Sequence, residues 1–308
     1  MIVTDRPLIA LTGATGFVGQ ATLDAALAEG YLVRALTRRP QPDRDGVRWV
    51  PGDLADTAAL SELTRGAEAV VHVAGVVNAP DAAGFEAGNV TGTLNLIETL
   101  MAKGIRRFVH VSSLSAREPE LSAYGASKAK AEKLVRASSL DWTIVRPPGI
   151  YGPRDREIFE LFRAARWGFV PVPREGRASM IHVDDLARLL VALVPSGEGM
   201  TGRVFEPDDG KPQGWDHHEM ALAIGWAVGR RPRVLGLSRA MLERAARVDG
   251  FLRGSAAKMT LDRASYLSHP DWVASADAAV PENLWQPRVE TREGLKMTAQ
   301  WYREHKWL

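Results

Sequence analysis

Thr12-Gly13-Ala14-Thr15-Gly16-Phe17-Val18-Gly19 follows an apolar run, Leu8 to Leu11, and opens into a helical pattern from Phe17 to Glu29 that Gly30 closes. A strand, a glycine turn and a helix in that order let backbone N–H groups approach a pyrophosphate at the helix N-terminus. The spacing is Gly-x-x-Gly-x-x-Gly, one residue wider than the Gly-x-Gly-x-x-Gly form. Taken alone, such a turn is also what any tight strand–helix connection shows. Its surroundings decide the matter.

Further apolar runs follow at Tyr31 to Leu36, Val47 to Val50, Ala69 to Val73, Phe108 to Val111 and Trp142 to Val145. Helical periods separate most of them, notably Val90 to Lys103 and Ser122 to Ala137. This alternation predicts an α/β fold, a doubly wound parallel Rossmann sheet with helices on both faces. Ligands then bind beyond the carboxyl ends of the strands. After Arg146 the rhythm breaks at Pro147, Pro148, Gly149, Gly152 and Pro153. A helix is expected over Glu157 to Trp167 and a strand over Met180 to Val183. Asp184 or Asp185 is placed to cap a helix over Leu186 to Val194. Residues 1–150 with about 178–205 are expected to form the dinucleotide-binding domain. Residues 151–177 with 206–308 are expected to form a smaller, mostly helical substrate domain.

The bulk numbers set limits. The chain has 308 residues, 45% hydrophobic and 25% charged, which suits a large α/β domain with a partner. Thirty-nine basic residues against 37 acidic give a net +2, too balanced to point to nucleic acid. Cysteine is absent, which excludes disulfides, thiolate metal sites and cysteine nucleophiles. No metal site is expected. Met1 to Pro7 lacks a signal-peptide pattern, and no stretch approaches the ~20 apolar residues of a membrane span. A cytoplasmic location is the expectation, with peripheral contact at the inner face of a membrane left open.

At the end of the second strand, Ala35-Leu36-Thr37-Arg38-Arg39, Thr37 stands where an NAD site usually carries an acid for the ribose 2′-hydroxyl. A carboxylate would repel a 2′-phosphate, whereas Arg38 or Arg39 can pair with it. NADP(H) is therefore expected over NAD(H). Tyr124 and Lys128 are four residues apart and share one helix face. A tyrosine near pKa 10 needs about 4 kcal/mol to titrate at neutral pH. An ammonium at ~4 Å supplies about that much at an effective dielectric of 20. Lys128 is thus expected to lower Tyr124 in a shielded site. Asp216-His217-His218-Glu219 reads as a helix start capped by Asp216 rather than a metal site.

The chain resembles the extended short-chain dehydrogenase/reductase family, which includes nucleotide-sugar epimerases, dehydratases and 3β-hydroxysteroid dehydrogenases. The resemblance rests on Thr12 to Gly19, Gly52-Asp53-Leu54, His72-Val73-Ala74-Gly75, Asn89 to Thr93 and Val111-Ser112-Ser113. It continues through Tyr124 to Lys128, Arg146-Pro147, Tyr151-Gly152-Pro153 and Ile181 to Asp185. It implies Tyr124 as general acid/base, Lys128 as its partner and holder of the nicotinamide ribose, and Ser113 as the group that polarises the carbonyl. Ser112 is one register slip away. The resemblance further implies a cofactor site formed by Gly13, Thr15, Gly16, Phe17, Val18, Gly19, Arg38, Arg39, Asp53, Leu54, Val73, Ala74, Gly75, Tyr124, Lys128 and Pro147. Asp53 would touch the adenine. Asn89 is helix-positioning first and active-site lining second. A homodimer through two helices is implied on the same ground.

The expected activity is interconversion of a ketone and a secondary alcohol. A non-catalytic NAD(P)-binding subunit or sensor need not keep Ser113, Tyr124 and Lys128 together. A nucleotide-sugar epimerase or dehydratase would carry an arginine for the diphosphate where Ala178 stands, although Arg177 is adjacent and can substitute. An apolar substrate is therefore favoured, sterol-like or a long-chain 3-keto lipid such as a keto-sphingolipid or ceramide precursor. Residues 238–253 read as an amphipathic helix with Met241, Ala245, Val248 and Leu252 recurring at helical spacing. It is either a domain helix with a solvated basic side or a helix resting on anionic lipid.

Overall fold

The computed structural model describes residues 6–254, 257 and 259–308. The expectation for Met1 to Pro7 therefore falls mostly outside the described residues. The first half runs β1 (Leu8–Thr12), α1 (Phe17–Ala28), β2 (Leu32–Thr37), β3 (Val47–Pro51), α2 (Thr57–Leu63), β4 (Ala69–His72), α3 (Ala82–Phe85), α4 (Gly92–Lys103), β5 (Arg107–Val111), α5 (Ala123–Ala137) and β6 (Asp141–Val145). The second half runs β7 (Gly149–Tyr151), α6 (Phe159–Arg166), β8 (Phe169–Pro173), β9 (Arg177–Ala178), β10 (Met180–His182), α7 (Val183–Ala192), β11 (Arg203–Phe205), β12 (Trp215–Asp216), α8 (His217–Ala227), β13 (Arg233–Leu237), α9 (Arg239–Arg253), α10 (Leu261–Leu267), β14 (Asp271–Trp272) and α11 (Thr291–Glu304).

Seven strands form one sheet in the order β11-β6-β5-β4-β1-β2-β3, every pair parallel. The Rossmann expectation is met. β4 and β5 are buried at every position, as strands covered on both faces must be. The chain order reverses between β1 and β4, and the crevice above that switch point is where such sheets take ligands. One core packs Ile9, Leu11, Leu23, Val71 and Val109 against Leu186, Leu189 and Leu190 of α7. A second gathers Leu60, Leu96, Leu100 and Phe108 on the other face. A third, away from the sheet, joins Tyr151, Phe162, Trp215, Ile224, Leu295 and Tyr302. Val280 and Trp285 return to the first core, so the boundary at residue 206 is not a clean cut.

Two local expectations need correction. α7 starts at Val183, and its cap is His182, whose ring accepts from the Asp184 N–H. Asp185 is buried and receives the backbone N–H groups of Arg288 and Val289 instead, tying a return loop to the helix start. The segment before α4 is a π-helix over Glu86–Thr91, so the helix expected from Val90 begins earlier and in a wider register. Asp216 does cap α8, accepting from the His218 and Glu219 N–H groups.

Candidate active site

The glycine loop lies at the switch point. Gly13 takes φ +75°, and a Cβ there would sit 2.6 Å from the Ala74 nitrogen. At Gly19 a Cβ would fall 1.9 Å from the Gly13 carbonyl oxygen. Only glycine lets β1, α1 and the chain after β4 meet this closely. Gly16 precedes α1 without a side-chain cap, and the first turn of α1 carries no acid. Its N–H groups therefore stay open to an anion. Thr15 and Gly16 are exposed here. Phe17 and Val18 pack against Val183 and Ala187 of α7 and hold the helix start in place. Val73 and Ala74 line the other side, the Ala74 N–H donating to Thr12 Oγ1 at 3.2 Å.

Arg38 and Arg39 stand exposed beyond β2, with no ion pair among the described residues. The Thr37 hydroxyl donates to the Arg39 carbonyl at 2.6 Å and shapes this corner. Asp53 follows β3 and is exposed, its carboxylate accepting from the Ala55 N–H. Leu54 points inward, against Gly92 of α4. Pro147 accepts from the Leu114 N–H and joins the ends of β5 and β6. An open glycine loop, an acid-free helix start and two adjacent exposed guanidiniums fit a nicotinamide dinucleotide.

Ser122 caps α5 through the Gly125 N–H, and the helix carries Tyr124 and Lys128 toward the carboxyl end of β5. Lys128 is 4% exposed, and its ammonium donates to the Val111 carbonyl at 2.7 Å. Burial pushes it down to about 8, against the opposing pull of Glu132. Gly75 approaches both this ammonium and Asn89; a Cβ there would lie 3.7 Å from Nζ and 3.2 Å from Asn89 Oδ1. Asn89 bonds the Val76 backbone twice and donates to the Ser127 hydroxyl, so it fixes the loop after β4 onto α5.

The Ser112/Ser113 ambiguity resolves by direction. Ser112 Oγ donates inward to Glu132 at 2.6 Å. Ser113 caps the short helix Leu114–Arg117 and reaches the Tyr124 phenol. The expected lowering of Tyr124 by Lys128 is not found. Burial holds the phenol above its ordinary value, the bond with Ser113 working the other way. Lys128 is turned to a carbonyl instead. A phenol held protonated is poised to give a proton rather than take one.

Several contributors were given no role in the site by the sequence. His72 bridges Thr12 Oγ1, at 2.6 Å, and Thr93 Oγ1, at 3.0 Å, across the floor of the switch point. Burial, with the Lys128 charge adding, lowers it to about 3, so it stays neutral. Glu132 is buried and takes two bonds from Arg146, at 2.8 and 2.7 Å. Arg146 and Arg117 both pair with buried Glu206. This network links α5, the end of β6, the end of β11 and the segment after β14. Finally, Asp262 of α10 accepts from the Ala123 N–H at 2.7 Å, docking α10 on the start of α5. Burial, with nearby Tyr124 adding, pushes Tyr266 of α10 up to about 12, and its ring stacks on buried Trp272 at 4.6 Å. An aromatic wall therefore stands beside the tyrosine.

Arg177, the neighbour of Ala178, is turned to the backbone. Its guanidinium donates to the Gln213 and Gly214 carbonyls, at 2.6 and 3.0 Å. A concavity of about 840 Å³ bordered by Glu68, Lys103, Arg107 and Asp141 lies at the opposite, amino ends of the strands. Arg107 is committed there to Asp141, Thr143 and the Leu193 carbonyl.

Comparison with known proteins places the chain in a family. The NAD(P)H-binding family model matches residues 13–196. A ceramide reductase of Caulobacter vibrioides is 38% identical, the match covering 100% of this chain and 98% of that one. A 2-alkyl-3-oxoalkanoate reductase of Stenotrophomonas maltophilia is 30% identical over 94% of this chain and 97% of its own. Among solved structures, MoeE5 in complex with UDP-glucose and NAD aligns with a TM-score of 0.75 at 23% identity, covering 97% of this chain and 99% of that one. The chain belongs to the extended short-chain dehydrogenase/reductase family and is an NAD(P)H-binding oxidoreductase.

Proposed function

We propose that this enzyme reduces a ketone to a secondary alcohol on an apolar substrate, with NADP(H) as its preferred cofactor. A long-chain 3-keto lipid of the ceramide type is the concrete case. The observation that carries the proposal is the Ser113–Tyr124 pair, with the phenol held protonated beside the Tyr266–Trp272 wall. A bound nicotinamide supplies the hydride. Ser113 would hold the carbonyl oxygen by its hydroxyl, and Tyr124 would give that oxygen its proton as the alcohol forms. Lys128 keeps a positive charge beneath the site, and Asn89 holds its wall in place.

The apolar assignment draws support from three sides. Arg177 is spent on backbone carbonyls and Ala178 carries no charge, so a sugar diphosphate lacks its expected grip. Tyr266, beside the tyrosine, stacks on Trp272 and makes that side aromatic. The relative at 38% identity is named for ceramide, and that at 30% for a 2-alkyl-3-oxoalkanoate. The NADP(H) preference is supported by Thr37 in place of an acid and by the unpaired Arg38 and Arg39.

The test is a substrate panel read as cofactor oxidation. It sets a 3-keto-ceramide and a 3-keto sterol against UDP-glucose and dTDP-glucose. Turnover is expected on the apolar ketones. Selective turnover of a nucleotide sugar, with none on apolar ketones, would overturn the proposal.

A further inference from the structure

α9 presents its apolar stripe outward. Met241, Ala245, Val248 and Leu252 recur at helical spacing, yet all four are exposed. Phe251, next to them, is 90% exposed and Leu252 72%. The helix is held down by a different face, Leu242 and Ala246, packed on Ala264 of α10 with Leu237 and Met259. An amphipathic helix whose main stripe faces away from its own core has a second surface to cover.

Charge indicates what that surface is. Arg244 and Arg247 are exposed beside the stripe and carry no ion pair among the described residues. Arg239 and Arg253 are engaged by Glu243 and Asp249. From Arg230 to Arg253 the chain holds seven arginines against two acidic residues, although the whole chain is only +2. Protruding Phe and Leu among unpaired arginines complement an anionic bilayer, whose phosphates take the guanidiniums and whose acyl boundary takes the apolar side chains.

We infer that α9 seats this enzyme on the surface of an anionic phospholipid bilayer. Phe251 and Leu252 enter the headgroup–acyl boundary, and Arg244 and Arg247 meet phosphates. The placement deepens, and rests on, the apolar-ketone proposal. α9 packs on α10, whose Asp262 docks on the helix of Tyr124 and whose Tyr266 stands beside that phenol. A ketone dissolved in the bilayer would thus lie one helix layer from the proton donor.

The experiment is co-sedimentation with vesicles of phosphatidylcholine alone or of equimolar phosphatidylglycerol and phosphatidylcholine, without substrate. The full chain is expected to sediment with the anionic vesicles only, and raised salt should release it. Arg244→Glu with Arg247→Glu, and separately Phe251→Asp with Leu252→Asp, should each reduce binding at least tenfold while leaving NADPH binding unchanged. These side chains are exposed, so neither variant removes core. Equal binding to both vesicles, no binding, or unaltered binding by both variants would overturn the inference. So would a dimer, seen by light scattering, that Phe251→Asp with Leu252→Asp dissociates, since a second copy would then cover the face. Because no substrate is present, failure here leaves the substrate panel untouched.

Discussion

Replacing Arg146 with methionine removes the guanidinium that holds two buried carboxylates. Glu132 would keep only the Ser112 hydroxyl and the more exposed Arg136, and Glu206 would keep Arg117 and the Ser275 N–H. Breaking one side of a buried pair costs about 3–5 kcal/mol, since the remaining charge stays desolvated. The surviving partners put this case near the lower end, about 3 kcal/mol. With an unfolding entropy of about 2.1 cal/mol/K per residue, that corresponds to a melting point lower by about 5 °C. Glu132→Leu combined with Arg146→Met removes both charges and should melt above the single variant, because no buried Glu132 carboxylate is then left without its guanidinium. Acid tests the same pair. Burial alone would raise the Glu132 carboxyl, but the bonds from Arg146, Ser112 and Arg136 outweigh it and hold it below the usual range. A depressed folded value means the stabilisation is complete above the unfolded pKa, about 4.3, and is lost as pH falls through the folded value. The gap in melting temperature between wild type and Glu132→Gln should therefore narrow below about pH 4. Thermal melts by circular dichroism across pH read both effects. A single variant within about 1 °C of wild type, or a gap that widens in acid, would refute the assignment of this network as a stabilising core element.

Arg38→Asp places a carboxylate where the 2′-phosphate is expected, so NADPH affinity should fall at least tenfold while NADH affinity holds or rises; fluorescence titration with both cofactors measures it, and equal losses would contradict the role. Lys128 sits at about 8, so its positive charge is present below that pH and lost above it. NADPH affinity should accordingly decline as pH rises past about 8, and Lys128→Met should bind weakly with no such limb. A limb that survives in Lys128→Met would assign the titration to another group.

The fold was legible because its parts are local. Gly13 and Gly19 mark a turn whose close approach only glycine meets, and the runs at β1, β4 and β5 are mainly apolar and almost wholly buried because both faces are covered. Tyr124 and Lys128 were readable from four-residue spacing on one helix. The seventh strand was not, since Arg203–Phe205 is three residues long and pairs only at the sheet edge. The network of Glu132, Arg146, Glu206 and Arg117 joins positions far apart in the chain, and no local pattern announces such partners. His182 outdid two aspartates as helix cap because Asp185 is needed by residues a hundred positions away. The stripe on α9 was visible, but periodicity alone does not tell which face the protein covers. Tyr266 had no signal at all; its place beside Tyr124 depends on how α10 docks.

Tyr124→Phe offers the most direct test of the chemistry, because it keeps the ring packed by Phe85 and removes only the hydroxyl that meets Ser113. Turnover of a 3-keto-ceramide with NADPH should fall by about 10²–10⁴-fold, the range of a lost general acid, while NADPH binding stays within about twofold of wild type. Near-native turnover by Tyr124→Phe would show that another group donates the proton and would remove Tyr124 from the reaction.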